Sequence, residues 1–220
     1  MQNVRIFFSK TGDAKYISHL DLMRCFSRAM TRAEIPLWYT EGFNPRPYMN
    51  FAMPLSLGME GSLEILDIRT ENEIKNEEIK DRLNATLPRD IRIVEVKEPV
   101  LKAQFVAFSR YKIEIGLDKD LSQDISKVLL DPNLTISKVG KQGKQKVVKE
   151  IALTGHVKDL KIWTDDGENT IILVTLPSNP QFGINPGVVM NRVFEILGIT
   201  PNFMHITRKY LQDDNLDKFA

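Results

Sequence analysis

The sequence predicts an α+β fold of two tandem ferredoxin-like units, each β-α-β-β-α-β with an antiparallel sheet. Three observations lead there. Strand-like and helix-like stretches follow one another in the same order in both halves of the chain. Arg82-Leu83 to Leu87 and Arg192-Val193 to Leu197 share an Arg-aliphatic-x-x-x-Leu spacing, each ahead of a proline and a strand. The length of 220 residues suits one large domain or two of about 100.

Residues 3–9 (NVRIFFS) carry the β-branched and aromatic side chains of a strand. After a turn at Gly12-Asp13, Ser18 is a natural N-cap, with Asp21 three positions on in the manner of a capping box. Leu22, Met23, Phe26, Ala29, Met30 and Ala33 then recur at helical spacing as far as Pro36. Residues 37–40 (LWYT) predict a short strand, 42–47 (GFNPRP) a rigid loop, and 49–57 resumed extended structure. Residues 62–69 alternate as a strand, 77–87 form an amphipathic helix, and 91–96 (IRIVEV) close the unit as a strand.

The second half starts with a strand at 109–115 and a helix at 121–130. Residues 134–139 and 147–153 pair as strands across a lysine-glycine turn, and 170–176 (TIILVTL) form a further strand. Residues 186–197 are a helix with proline at its first position, and 202–210 end the unit as a strand. The units therefore span 1–102 and 105–212, with 99–104 as the linker and 213–220 as a flexible tail.

A 42% hydrophobic share beside 27% charged residues is ordinary for a soluble globular protein. The first residues lack the charged start, apolar core and cleavage site of a signal peptide, and no apolar run approaches the roughly 20 residues that cross a bilayer. With one cysteine, Cys25, no internal disulfide forms, so a cytoplasmic protein without membrane contact is expected. One thiol also cannot hold an iron–sulfur cluster or a structural zinc, and His156 and His205 are too isolated to build a metal site. No metal and no cofactor is expected in this chain.

Arg24, Arg28 and Arg32, at i, i+4 and i+8, form a ridge roughly opposite the apolar face of the first helix, with no acid at i±4. Together with Lys15 and Arg46 they suit a run of phosphates, since guanidinium forks match phosphate oxygens. The bland alternative is a solvated helix face. His19 opens the same helix, where the dipole favours a neutral imidazole. It serves as general base toward an RNA 2′-hydroxyl, or it merely fixes the loop at 42–47.

That loop has two readings as well. Gly42 permits positive φ, Phe43 and Phe51 anchor in the core, Asn44 turns the chain, and the two prolines stiffen it. This merely builds a bent connection, or it presents Asn44, Arg46 and Tyr48 to a ligand with little entropy lost, with Tyr48 or Phe43 stacking on a base. In the second reading Ser18, His19 and Lys15 converge with Asn44 and Arg46. Lys138, Lys141, Lys144 and Lys146 lie in a stretch of five lysines without an acid, which suits a polyanion contact or a solubilised edge hairpin. Phosphate-binding G-x-x-x-x-G-K-[ST], G-x-G-x-x-G and G-x-S-x-G motifs are absent. Lys10-Thr11-Gly12 and Ser109 to Lys112 match β-lactamase signatures only in letters, with the order reversed and Ser109 opening a strand where a helix start is needed.

The stretches KYISHLDLMR (15–24), RAMTRAEIPL (28–37), GFNPRP (42–47) and FAMPLSLGME (51–60) resemble a bacterial family of radical-SAM-associated proteins. The resemblance is dense over residues 5 to about 105 and looser beyond, and the family pattern has His or Arg where Arg46 stands. Members of that family occur beside, or fused behind, a B12-binding-type radical SAM protein. They often lie near genes for an RNase of the E/G type and ribosomal proteins. The resemblance thus implies a cluster-free partner of a radical SAM protein and raises the expectation of rRNA or tRNA as ligand.

The leading expectation is an accessory protein that binds or orients RNA for that partner through Lys15, Arg24, Arg28, Arg32, Asn44, Arg46, Tyr48 and the lysine hairpin. Two alternatives stand beside it. One is a metal-independent RNA-processing or RNA-modifying enzyme with His19 as base, by analogy with CRISPR RNA-processing proteins of paired ferredoxin-like units. The other is a purely structural partner of the radical SAM protein.

Overall fold

The computed structural model of the protein describes residues 1–142, 145–165 and 169–219, with the backbone alone at 138–142 and 145–147. These residues form a mixed α/β fold with four α-helices and a large, mostly antiparallel sheet. Two compact units result, Met1–Phe108 with Thr207–Ala220, and Ser109–Ile206. The chain thus returns to its first unit at the end of its last strand.

The first unit contains β1 (Gln2–Lys10), α1 (His19–Arg32), β2 (Met49–Phe51), β3 (Glu60–Thr70), α2 (Asn76–Thr86) and β4 (Ile91–Lys97). Its strands lie in the order β4-β1-β3-β2, each antiparallel to its neighbour. Alternation along β1 sends Val4, Ile6 and Phe8 to one face, where they meet Leu66 and Ile68 of β3, Phe26 and Met30 of α1, and Ile79 and Leu83 of α2. Burying each such side chain stabilises by roughly 1.5–3 kcal/mol. Phe7 points the other way and packs with Ile65, Ala103, Val106 and Leu211. Both faces of β1 are therefore covered, which is why NVRIFFS is almost continuously apolar.

Two expected strands are shorter than the sequence suggests. Beyond Phe51, Ala52 N–H still donates to the Ile65 carbonyl at 3.1 Å, but Pro54 has no donor to continue the ladder, so β2 ends after three residues. At 37–40 only isolated bridges form, Leu37 with Thr70 and Tyr39 with Pro47.

Residues 213–219, expected as a flexible tail, fold back on the first unit. Phe219 is 2% exposed, its N–H donates to the Leu211 carbonyl at 2.9 Å, and the Arg5 guanidinium lies 5.0 Å from its ring centroid. The sequence there is mostly acidic and polar, so one phenylalanine carries the docking.

The second unit is built from β5 (Phe108–Gly116), α3 (Ser122–Leu129), β6 (Thr135–Gln142), β7 (Gln145–Ala152), β8 (Lys158–Thr164), β9 (Asn169–Pro177), α4 (Pro186–Leu197) and the first part of β10 (Phe203–Gln212). Its strand order is β10-β5-β9-β8, and β6 pairs with β7 as a separate two-stranded sheet. Strand β8 is the element that pattern reading missed. Its residues alternate between half-buried and exposed, so KDLKIWT shows no strong apolar period. Helix α4 begins as its sequence dictates, with Pro186 in the first turn and Asn185 Oδ1 accepting from Gly187 N–H at 2.8 Å. Left-handed Gly198 (φ 63°) ends it. No helix among the described residues is long and apolar enough to cross a membrane.

Candidate functional site

Helix α1 sets the geometry of the site. Ser18 Oγ accepts from the Asp21 N–H at 3.1 Å and donates to the Asp21 carboxylate at 2.7 Å, which fixes the first turn. That hydroxyl, aided by Arg24, holds the Asp21 carboxyl below the usual carboxylate range. With Leu22, Phe26, Ala29 and Met30 buried, the rotation of the helix is fixed, and Arg24, Arg28 and Arg32 come to border one shallow groove of about 290 Å³ together with Asp21 and Cys25.

The arginines are not equivalent. Arg24 pairs with Asp21 at 3.2 Å, an i,i+3 partner that the i±4 reading overlooked. Arg32 donates to the Thr86 carbonyl at the end of α2 at 2.9 Å, which ties the rim of the groove to a second helix. Among the described residues, no ion pair or hydrogen bond engages the Arg28 side chain. Cys25 is half-buried, and burial pushes its thiol up despite the pull of Arg32 and Arg28. It is a neutral thiol, not a reactive thiolate.

His19 is half-buried, and its ring meets Phe51 edge-on with centroids 5.2 Å apart. Phe51 in turn touches Phe8 and Phe26, so the imidazole caps an aromatic cluster. Burial, and then the nearby Lys10 ammonium, hold it below its ordinary value, and no acid is bonded to it among the described residues. Lys10 itself is 2% exposed and donates to the Ile17 carbonyl at 3.2 Å. Burial lowers it, opposed by Glu64 and reinforced by Arg208. Lys15 turns its ammonium toward the Tyr16 ring at 5.2 Å, while its carbonyl accepts from Gly58 N–H at 2.9 Å.

The convergence of Asn44 and Arg46 with Ser18, His19 and Lys15 does not form. The start of α1 lies at the Lys10–Gly61 end of the sheet, as the Lys10 contact with Ile17 shows. The register runs the other way for the loop: Phe51 lies across from Leu66, Met49 from Ile68, and Leu37 from Thr70. Residues 42–47 therefore sit past the opposite end of β3. They close a tight turn there, with Thr40 N–H donating to Arg46 carbonyl at 2.8 Å, Arg46 N–H to Thr40 Oγ1 at 3.1 Å, and Gly42 at φ 126°. Phe43 is fully exposed and anchors nothing, so Phe51 alone supplies the expected core contact. Asn44 and Arg46 are exposed, and Tyr48 is half-buried against Trp38.

Lys144 lies outside the described residues, as do the side chains of Lys138, Lys141 and Lys146, whose backbone runs in β6 and β7. No group of three or more His, Cys, Asp or Glu stands close enough to hold a metal among the described residues. Sequence reading missed two further clusters. Lys10, Glu64 and Arg208 are far apart in the chain, and Arg69 with Trp38 gave no signal beyond strand alternation.

Comparison with known proteins adds three findings. No curated protein matches the chain. A solved structure described as "Crystal Structure of a Cbf5-Nop10-Gar1 Complex" matches with a TM-score of 0.55 at 11% identity, covering 94% of this chain and 48% of that one. This chain thus spans about half the length of the chain it matches, and the likeness is one of fold. A family model described as an uncharacterized protein conserved in bacteria (DUF2344) matches residues 3–186, most of the chain, and the protein belongs to that family.

Proposed function

We propose that the protein is a cytoplasmic RNA-binding accessory module, built of two ferredoxin-like units, that orients RNA for a radical SAM partner. The carrying observation is the groove on α1, where three guanidiniums border one surface that holds a single acid. Phosphates spaced along an RNA strand suit such a row, because each guanidinium offers a planar fork and none needs to be desolvated from a core. The ferredoxin-like part is supported by strand order: β4-β1-β3-β2 in one unit and β10-β5-β9-β8 in the other are both 4-1-3-2 once β6 and β7 are set aside as an insertion. The radical SAM part rests on the motif resemblance, and the compartment on a single, half-buried cysteine.

The test is filter binding of structured RNA at rising salt. Three phosphate contacts predict a log–log slope between about −2.1 and −2.7, from roughly −0.7 to −0.9 per contact. Replacing Arg24, Arg28 and Arg32 together by Gln brings the slope near zero, with only the small fall in unfolding temperature expected from losing the exposed Arg24–Asp21 and Arg32–Thr86 contacts. Weak binding with a flat salt response in the unaltered protein would overturn the reading.

A further inference from the structure

The face of the first unit's sheet that points away from α1 and α2 carries a second, polar site. Alternation places Asn3 and Arg5 of β1 and Asp67 and Arg69 of β3 there, beside Tyr48 and Asn50. Of these, Asn3, Tyr48, Asn50, Asp67 and Arg69 line, with residues 99–104, a pocket of about 480 Å³, within the roughly 300–1,000 Å³ of small-molecule sites.

Arg69 is its focal group. The guanidinium carbon lies 5.0 Å from the Trp38 ring centroid and 5.1 Å from that of Tyr48, and the two rings are 6.2 Å apart, so the cation rests on a two-ring platform. Its Nε donates to Asn3 Oδ1 at 3.1 Å, and no carboxylate pairs with it among the described residues. The adjacent acid is already taken, since Arg5 holds both Asp67 oxygens at 2.7 Å. Arg5 also donates to the Leu101 carbonyl at 2.8 Å and so fixes one wall of the pocket. What remains is a positioned, uncompensated guanidinium in a concave polar surface, with the exposed Asn50 amide across the strand from Asp67.

We propose that this pocket binds a small organic oxyanion, a carboxylate or a phosphate monoester, with Arg69 taking the oxyanion and Asn3 and Asn50 its neighbouring hydrogen-bonding groups. The rings hold the guanidinium in place before the ligand arrives, so little side-chain entropy is lost on binding. The proposal does not depend on RNA binding at α1, which lies on the other face of the sheet.

Trp38 provides the readout. The chain has two tryptophans, and Trp163→Phe leaves Trp38 as the only one. Fluorescence titration of the full chain with AMP and with citrate is expected to show a saturable change with at least one of them, and which one separates phosphate monoester from carboxylate. Arg69→Met and Asn50→Asp each weaken that response by at least about tenfold, the first by removing the fork and the second by adding like charge. Asn50 is exposed, so Asn50→Asp keeps the fold and the test survives if Arg69→Met does not. No saturable change with either probe, or an unchanged response in Asn50→Asp, overturns the proposal. So does inorganic phosphate binding as well as both, or an oligouridylate that alone gives an Arg69-dependent change.

Discussion

Arg208 grips Glu64 across 144 residues of sequence, its Nε 2.9 Å from one carboxylate oxygen and a second nitrogen on the other, with both side chains buried. The same guanidinium donates to the Met53 carbonyl at 2.6 Å. The pair fastens the last strand to β3 within the first unit, beside the short parallel ladder of Thr207 and Arg208 with Glu60 and Gly61. Glu64→Ala would leave a buried guanidinium without its counter-charge, so a loss of about 3–5 kcal/mol is expected in denaturant unfolding. A Glu64→Leu, Arg208→Met double variant should lose much less, because no orphaned charge remains. Equal losses in the single and double variants would contradict this account.

Much of the fold was legible because local chemistry and tertiary placement agree. Ser18, Asp21 and the apolar stripe from Leu22 to Met30 announce α1, and the structure has the cap and the buried face where the pattern puts them. The clusters that position the site were not legible. Glu64 reads as one residue of an alternating strand, and nothing local reveals that its partner lies beyond a whole second unit. Phe43 and Phe51 look alike in sequence, yet only Phe51 is on a strand aimed at α1. Which end of β3 the loop at 42–47 occupies is a matter of register, and register is a long-range property.

His19 gives the protein a pH dependence on its acid side. Its folded-state value is held below the ordinary one, chiefly by burial and then by Lys10, so the native state favours the neutral imidazole. Above about pH 6.5 both folded and unfolded chains hold it neutral and stability is unaffected. As pH falls below that, the unfolded chain takes up the proton first, and stability is lost until the folded-state value is passed. Unfolding temperatures measured from neutral to mildly acidic pH should therefore fall, and His19→Gln should flatten part of that fall. Parallel curves for the two proteins would rule this out.

Asn84 guards the open edge of the first unit. Strand β4 ends the order β4-β1-β3-β2, and the Asn84 amide satisfies both backbone groups of Ile93, accepting from its N–H at 2.8 Å and donating to its carbonyl at 3.1 Å. A side-chain amide thus stands where a neighbouring strand would pair. Asn84→Ala should cost about 1–3 kcal/mol through the two half-buried groups it leaves unpaired. It should also promote concentration-dependent association through the bared edge, visible in light scattering. A destabilised variant that stays monomeric at high concentration would show that the amide supports the strand without shielding it.

Asp21 separates the structural from the binding role of the α1 groove. Its carboxylate steadies the first turn through Ser18 and sits near the positive end of the helix, so Asp21→Asn should lower the unfolding temperature slightly. The same carboxylate occupies Arg24 at 3.2 Å and is the one acid bordering the groove. Removing it frees Arg24 and deletes a repulsion toward phosphate, so RNA affinity at low salt should rise about two- to fivefold. Arg28→Ala should do the opposite, weakening RNA with little effect on folding, because Arg28 has no partner to lose among the described residues. Stability and affinity moving in opposite directions in Asp21→Asn would be hard to obtain from a solvated helix face. If affinity is unchanged in both variants, the arginine row is a surface and not an interface.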